Sequence, residues 1–229
     1  MRRPSVEGNW EGDGWVVARE VLDGQSVGRL RDHLDLLLAE RPEGAAGLLA
    51  GTVVDDPVWL GAVADPRLLD VVSSLLGPGI ALFSSCWVVK PPHVGRAAAW
   101  HQDGNAWPLD PLVAVSLWVA LDDADGGNGG LRVVPGSHRG GLLPHHRDDD
   151  RLATELFSVS VPAGAVDESA AVDVVLRAGD VSAHHPALVH GSGPNRSDRP
   201  RRALVARYHP LTTRVTQTPW PSAKVLRQA

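Results

Sequence analysis

Beyond Gly79 this 229-residue chain breaks into short runs rich in β-branched and aromatic residues, each closed by a Gly, Pro, Asn or Asp turn. That texture is the pattern of an all-β sandwich or barrel. About eight strands are expected, over residues 80–90, 97–103, 113–121, 131–135, 156–161, 171–176 with 181–183, 188–192 and 201–208. Eight antiparallel strands carrying polar groups on inner faces fit a double-stranded β-helix, the jelly-roll or cupin-like fold. The segment over 140–173 interrupts the rhythm, as a loop over a pocket does.

The part before Gly79 reads differently. Residues 10–22 resemble a first strand, and after Asp23-Gly24 the stripe Val27, Leu30, Leu34, Leu37, Leu38 predicts a helix over about 25–40. A second helix is expected over 66–76, with Asp65 as N-cap, Pro66 at its first position and Gly77 as its stop. The stretch around Trp59 gives no assignment. No linker divides the chain, so the expectation is one domain over 1–229, with helical support at about 20–78 and a jelly-roll core at about 79–210.

Charge narrows the partners. A net charge of −5 and 20 Arg scattered without a basic block argue against nucleic acid and against an anionic membrane surface. No apolar run long enough to span a membrane and no signal-peptide core occur, and the single Cys86 sits in an apolar strand without a disulfide partner. A cytoplasmic protein acting on a small molecule is expected; the oligomeric state is not legible.

Three His-x-Asp tripeptides stand out, because on a strand an imidazole and a carboxylate two residues apart lie on one face, about 6.5–7 Å apart along the backbone. His33-Leu34-Asp35 falls in the first helix, where residues two apart diverge by about 200°. His146-Arg147-Asp148 opens an acidic run that reads as a solvated loop. Only His101-Gln102-Asp103 sits between convincing strands and before a turn.

A facial iron site takes two histidines and one carboxylate, leaving the other positions open. The third ligand is then a histidine late in the chain, from among His184, His185, His190 and His209. His190 ends the short strand A-L-V-H at the turn G-S-G-P-N and suits the role best; His184 and His185 read more readily as pocket wall, and His209 as structural. Arg201 opens the last strand, and Ser192 shares the face of His190. A guanidinium fork and a hydroxyl so placed can hold a carboxylate beside a metal, although on spacing alone Arg201, with Arg202, reads first as a solvated strand-edge residue, as most arginines are.

Taken together, D-G-W-V-V-A-R-E-V-L near the start, W-H-Q-D at 100–103, L-W-V-A-L-D-D-A-D-G-G-N-G-G-L-R-V-V-P-G-S-H at 117–138, A-G-D at 178–180 and H-G-S-G-P-N from His190 resemble the phytanoyl-CoA dioxygenase family of iron(II)- and 2-oxoglutarate-dependent oxygenases. The resemblance implies His101, Asp103 and His190 as iron ligands, and Arg201 with Ser192 on the far carboxylate of 2-oxoglutarate. It sets Trp118 beside that cosubstrate and leaves Lys90 as the one lysine in reach of it. O2-dependent hydroxylation of an unactivated carbon, with release of succinate and CO2, is the implied reaction. Trp87, Asn105, Trp107 and His145 are the candidates for the substrate wall. A non-oxidative cupin-like metal protein has no use for Arg201 and Ser192 so placed, a non-catalytic binding protein has no use for an intact ligand set, and a halogenase needs a small residue where Asp103 stands.

Overall fold

The computed structural model describes residues 6–40, 48–51, 56–216 and 224–228. Its N-terminal part holds β1 (Val6–Asn9), α1 (Trp10–Asp13), β2 (Trp15–Ala18), α2 (Gly24–Ala39), β3 (Leu48–Gly51), α3 (Pro57–Val63) and α4 (Pro66–Leu76). Strands follow: β4 (Ile80–Lys90), β5 (Ala98–His101), β6 (Leu109–Asp110), β7 (Val115–Ala120), β8 (Arg132–Val133), β9 (His146–Arg147) and β10 (Val159–Ser160). The last are β11 (Val172–Asp173), β12 (Val181–His184), β13 (His190–Ser192), β14 (Arg201–Pro210), β15 (Arg214–Val215) and β16 (Lys224–Arg227).

The helices start where short polar side chains take up free amides. Asp23 accepts the Ser26 N–H at 2.8 Å, so the expected turn residue is the N-cap of α2. Asp65, Pro66 and Gly77 (φ 83°) bound α4 as the sequence predicts. Helix α3 fills the unassigned stretch around Trp59. Asp56 accepts from Val58 N–H and Trp59 N–H, each at 3.0 Å, ahead of Pro57, the same Asp-Pro opening as in α4. The strand expected over 10–22 is divided. Asn9 caps a turn of helix at Trp10–Asp13, Gly14 leaves it in the left-handed region at φ 78°, and β2 keeps only Trp15–Ala18.

Two facing sheets form the body, and β9–β10 and β6–β15 pair apart from them as two-stranded ribbons. The large one runs β1-β2-β12-β7-β14-β4-β16, with β3 also paired to β4; the small one runs β11-β8-β13-β5, and all these pairs are antiparallel. This is the expected double-stranded β-helix with helices on one side. The small sheet is trimmed to two to four residues per strand, so the runs expected over 131–135 and 171–176 are mostly loop, and that over 188–192 keeps only His190–Ser192; the run over 156–161 keeps only Val159–Ser160, which pairs with β9 outside this sheet.

Alternation along the large sheet decides what each side chain meets. Trp87 on β4, Leu117 on β7, and Leu204 and Tyr208 on β14 face the helices and bury against Leu30, Leu34, Trp59, Leu68 and Val72. Each such fully buried aliphatic side chain contributes about 1.5–3 kcal/mol. Tyr208 adds a hydrogen bond from its hydroxyl to the Val63 carbonyl at 2.8 Å, tying β14 to α3. The opposite face sends Cys86, Val88, Trp118, Ala203 and Val205 between the sheets, against Leu131, Val133, Leu176 and Leu188. Trp87, offered by sequence as a substrate residue, is therefore a core residue: its ring packs on Trp59 at 5.4 Å between centroids, on the helical side.

Candidate metal and cosubstrate site

The inner face of the jelly roll carries the site. His101 ends β5, and its partner directly across the small sheet is His190 on β13, with ring centroids 4.2 Å apart. His101 Nδ1–H donates to the Ala99 carbonyl at 2.7 Å, and His190 Nδ1–H to the Leu188 carbonyl at 2.9 Å. A carbonyl can only accept, so Nδ1 carries the proton in both rings and the Nε2 lone pairs are left to face inward. Asp103 lies past the end of β5, on a 3-10 turn (Asp103–Ala106), which corrects the strand expected over 97–103. Gln102 stays extended at φ −125°, ψ 122°, and Asp103 Oδ1 comes within 3.9 Å of His101 Nε2 and 4.0 Å of His190 Nε2. One ligand atom from each of the three residues lies within 4.8 Å of the others.

The protonation states suit a metal. Burial, with His190 beside it, pushes His101 down to about 3; burial, with His184 beside it, pushes His190 down to about 4. Both are neutral imidazoles at neutral pH. Burial alone would raise Asp103, but Arg207 and the neighbouring histidines hold its carboxyl well below the usual range. Two neutral imidazoles and a carboxylate are the donor set of a facial non-haem iron site.

Two cavities meet at these three residues. The inner one, about 50 Å³, is bounded by Trp118, His184, Ser192, Arg201 and Val205 among others. Arg201 is only 2 % exposed, and its Nε and Nη1 have no hydrogen-bond partner among the described residues. Burial pushes its pKa down to about 9, and its guanidinium lies 5.3 Å from the Trp118 ring centroid. A buried cation with unused donors is costly unless an anion meets it, so the inner cavity fits a carboxylate. Ser192 Oγ accepts from Lys90 Nζ at 2.6 Å, which leaves the serine O–H free to donate. Lys90 is fully buried, also donates to the Gly193 carbonyl, and is pushed down to about 5 by burial and by Arg201. It stands behind Ser192 and does not line the cavity.

The outer cavity, about 340 Å³, is lined by Gln102, Asn105, Trp107, His145, Ser158 and Arg207, and shares His101, Asp103, Leu156, Phe157 and Arg207 with the inner one. Three of the four residues expected on a substrate wall are here; Trp87 is not. The rival tripeptides are elsewhere: His33 meets Asp56 while Asp35 meets Arg202, and His146 is exposed beside Ser160. His184 flanks His190 at 4.5 Å as pocket wall, whereas His185 packs on Trp10 and His138 outside both cavities. His209, as expected, is structural, buried against Phe83. Arg207, Ser116 and Phe157 were not anticipated. The period-two pattern from Arg201 points to Arg207, on the face of 201, 203 and 205.

A jelly roll carrying two histidines and a carboxylate between an inner anion pocket and an outer cavity belongs, by fold and site, with the facial-triad metalloproteins. The chain is a member of the phytanoyl-CoA dioxygenase family, whose model matches residues 10–203. It is 31 % identical over 219 residues to the peroxisomal phytanoyl-CoA dioxygenase of Bos taurus, a match covering 85 % of this chain and 65 % of that one. With the Rattus norvegicus counterpart the match takes in 43 % of the relative, so the chain spans less than two thirds of these mammalian proteins. It is 30 % identical to the L-proline trans-4-hydroxylase of Streptomyces griseoviridis, covering 90 % of this chain and 85 % of that protein. Among solved structures, the epimerase SnoN in complex with Fe3+, alpha ketoglutarate and nogalamycin RO superposes with a TM-score of 0.75 at 27 % identity, over 96 % of this chain and 91 % of SnoN.

Proposed function

We propose that this chain is an iron(II)- and 2-oxoglutarate-dependent dioxygenase that hydroxylates, or otherwise oxidises, an unactivated carbon of a small molecule, releasing succinate and CO2. The observation that carries the reading is the buried, unpartnered Arg201 guanidinium in a small cavity that opens onto His101, Asp103 and His190. His101, Asp103 and His190 would hold the iron. Arg201 and the Ser192 hydroxyl would hold the far carboxylate of 2-oxoglutarate, with Lys90 fixing the serine from behind and Trp118 covering the guanidinium face.

Iron with 2-oxoglutarate and O2 would supply the oxidising power, one oxygen atom entering succinate and the other the substrate C–H bond. The protein's part is binding, orientation and exclusion of water. Leu131, Val88, Val205 and Leu156 give the inner cavity an apolar wall beside its clamp and the candidate ligands, which would strengthen an ion pair formed there. Asn105, Trp107 and His145 would orient the substrate in the outer cavity, on the ligand side of Phe157. On the same reading the protein works in the cytoplasm, which its lone buried thiol at Cys86 suits.

The test is an anaerobic titration with iron(II) and then 2-oxoglutarate. The expected result is a visible charge-transfer band that forms only with both present, followed on admission of air by succinate in proportion to 2-oxoglutarate consumed. Tight iron binding with no response to 2-oxoglutarate would overturn the reading in favour of a non-oxidative metal protein.

A further inference from the structure

The two oxygens of Asp103 have different surroundings. Oδ1 faces His101 and His190, whereas Oδ2 accepts from Ser116 Oγ–H at 2.6 Å and from Arg207 Nε–H at 3.3 Å, with His184 Nε2 at 3.6 Å. These three residues come from three neighbouring strands of the large sheet and sit in one row. His184 on β12 is the register partner of Ser116 on β7, and Ser116 is the register partner of Arg207 on β14. Asp103 itself belongs to the opposite side of the jelly roll and stands on a 3-10 turn, outside any strand ladder. Its backbone position alone does not fix which oxygen points at the histidines.

We infer that the row His184, Ser116, Arg207 is a positioning device for the metal carboxylate. It commits Oδ2 to the large sheet and leaves Oδ1 as the single ligating oxygen, so that Asp103 takes one metal position instead of two. The inference rests on the iron reading above. Ligating carboxylates depend on such partners for their orientation. The row is built for the purpose: Ser116 is fully buried and donates its proton to Asp103, and Arg207 is held over the Trp107 ring at 5.9 Å with its Nη1 against Cys86 Sγ at 3.5 Å. Apolar residues fill the neighbouring inward positions of β7 and β14, Trp118 and Val205, so a polar pair at 116 and 207 is a departure from the packing pattern. One of the six positions around an octahedral ion is thereby kept open for cosubstrate or oxygen.

The experiment compares the full-length parent with Ser116→Ala, Arg207→Lys, Arg207→Met and Asp103→Ala. Manganese(II) affinity is measured by calorimetry, the visible spectrum of the cobalt(II)-loaded protein is recorded, and folding is followed by thermal melting. Ser116→Ala and Arg207→Met should weaken metal binding about 10–100-fold. Ser116→Ala should also change the cobalt spectrum as Oδ2 becomes free to bind, and Arg207→Lys should recover part of the affinity. If Ser116→Ala and Arg207→Lys fold and match the parent in affinity and spectrum while Asp103→Ala loses the metal, the iron reading stands and this inference is overturned. If Arg207→Met folds and keeps the parental manganese(II) affinity and cobalt(II) spectrum, the arginine serves only the outer cavity and the inference likewise fails. A parent that binds no metal, or binds it equally after Asp103→Ala, refutes the iron reading itself.

Discussion

His190 stands opposite His101 across the small sheet, as the register partner in the β13–β5 pair, with Nδ1 of each ring anchored to a carbonyl two residues earlier. This pairing, more than position in the sequence, singles out His190 from His184 and His185. His101→Ala, Asp103→Ala and His190→Ala should each abolish metal-dependent turnover and leave a folded protein, since a site with two ligands holds a divalent ion weakly. Manganese(II) calorimetry with circular dichroism checks both halves. His146→Ala, on an exposed residue, should bind metal as the parent does; a dead His146 variant with active His101 and His190 variants would refute the ligand set.

Arg201 and Arg202 are neighbours with separate tasks. Arg201→Ala should raise the 2-oxoglutarate requirement by 10²-fold or more, because losing a desolvated charged partner costs on the order of 2–4 kcal/mol. Arg202 turns to the other face, where it donates to Asp122 at 2.9 and 3.0 Å and to Asp35 at 3.0 Å. Its loss should leave cosubstrate affinity unchanged and cost about 1–3 kcal/mol of stability, because the buried Asp122 then loses two charged hydrogen bonds and keeps only Arg31 at 3.2 Å and the backbone N–H of residue 202 at 2.9 Å. Saturation curves and melting curves of the two variants should therefore show opposite patterns.

The metal-free protein should lose stability on mild acidification. His101 and His190 titrate near 6.5 in an unfolded chain but only at about 3 and about 4 in the fold, where burial disfavours the charged ring. Between these limits the unfolded state binds protons that the native state refuses, so unfolding becomes easier as pH falls from about 6.5 toward 4. Asp103 acts in a lower window, its contribution vanishing only below the usual carboxylate range. Melting temperatures across pH 4–7 should fall less steeply for a His101→Asn, His190→Asn double variant than for the parent. Equal slopes would show that other groups control the acid limb.

In the large sheet β4, β7, β12 and β14 are legible because both faces of each are buried, one toward the helices and the other toward the space between the sheets, whereas β1, β3 and β16 are not read from sequence and β1 is exposed along its length. The four strands of the small sheet fall within runs the sequence predicts, but their ends are not legible, because they hold only two to four residues and their flanks are fixed by single hydrogen bonds such as Val174 N–H to the Leu131 carbonyl at 2.8 Å. Among the candidate site residues, spacing brings forward His101 and Asp103 and a strand end His190, whereas Arg201 rests on the family resemblance. Trp87 could not be assigned to a face, because β4 is buried on both sides along nearly its whole length and period two gives no sign of which side is the pocket. Ser116, the one polar residue of β7, and Arg207, on the Arg201 face of β14, are not joined by anything in the sequence: only the register between β7 and β14 shows that they stand side by side.

The segment over 140–173 is more firmly attached than an open loop, and this alters where motion is expected. Gln102, between His101 and Asp103, donates its side-chain amide to the Gly141 and Ala187 carbonyls at 2.8 and 2.6 Å and accepts the Leu143 N–H at 2.7 Å. Its backbone N–H donates to His145 Nε2 at 3.1 Å. At the far side, Leu156 N–H bonds the Ala97 carbonyl at 2.7 Å and Val161 N–H the Trp100 carbonyl at 2.9 Å. What remains between these anchors is the exposed hairpin of β9 and β10 with its tip at Asp149–Ala153, over the outer cavity through Leu152, Ser158 and Val159. Opening, if it gates substrate, should be confined to residues 146–154 while 141–145 and 156–161 stay protected. Hydrogen exchange measured with and without a turnover-competent substrate should show protection gained only in the tip. Gln102→Leu should release the stem, raising exchange at Leu143 and weakening substrate affinity more than 2-oxoglutarate affinity. Uniform protection of 140–161 in both states, together with parental exchange in the Gln102 variant, would show that this segment is a fixed wall of the cavity.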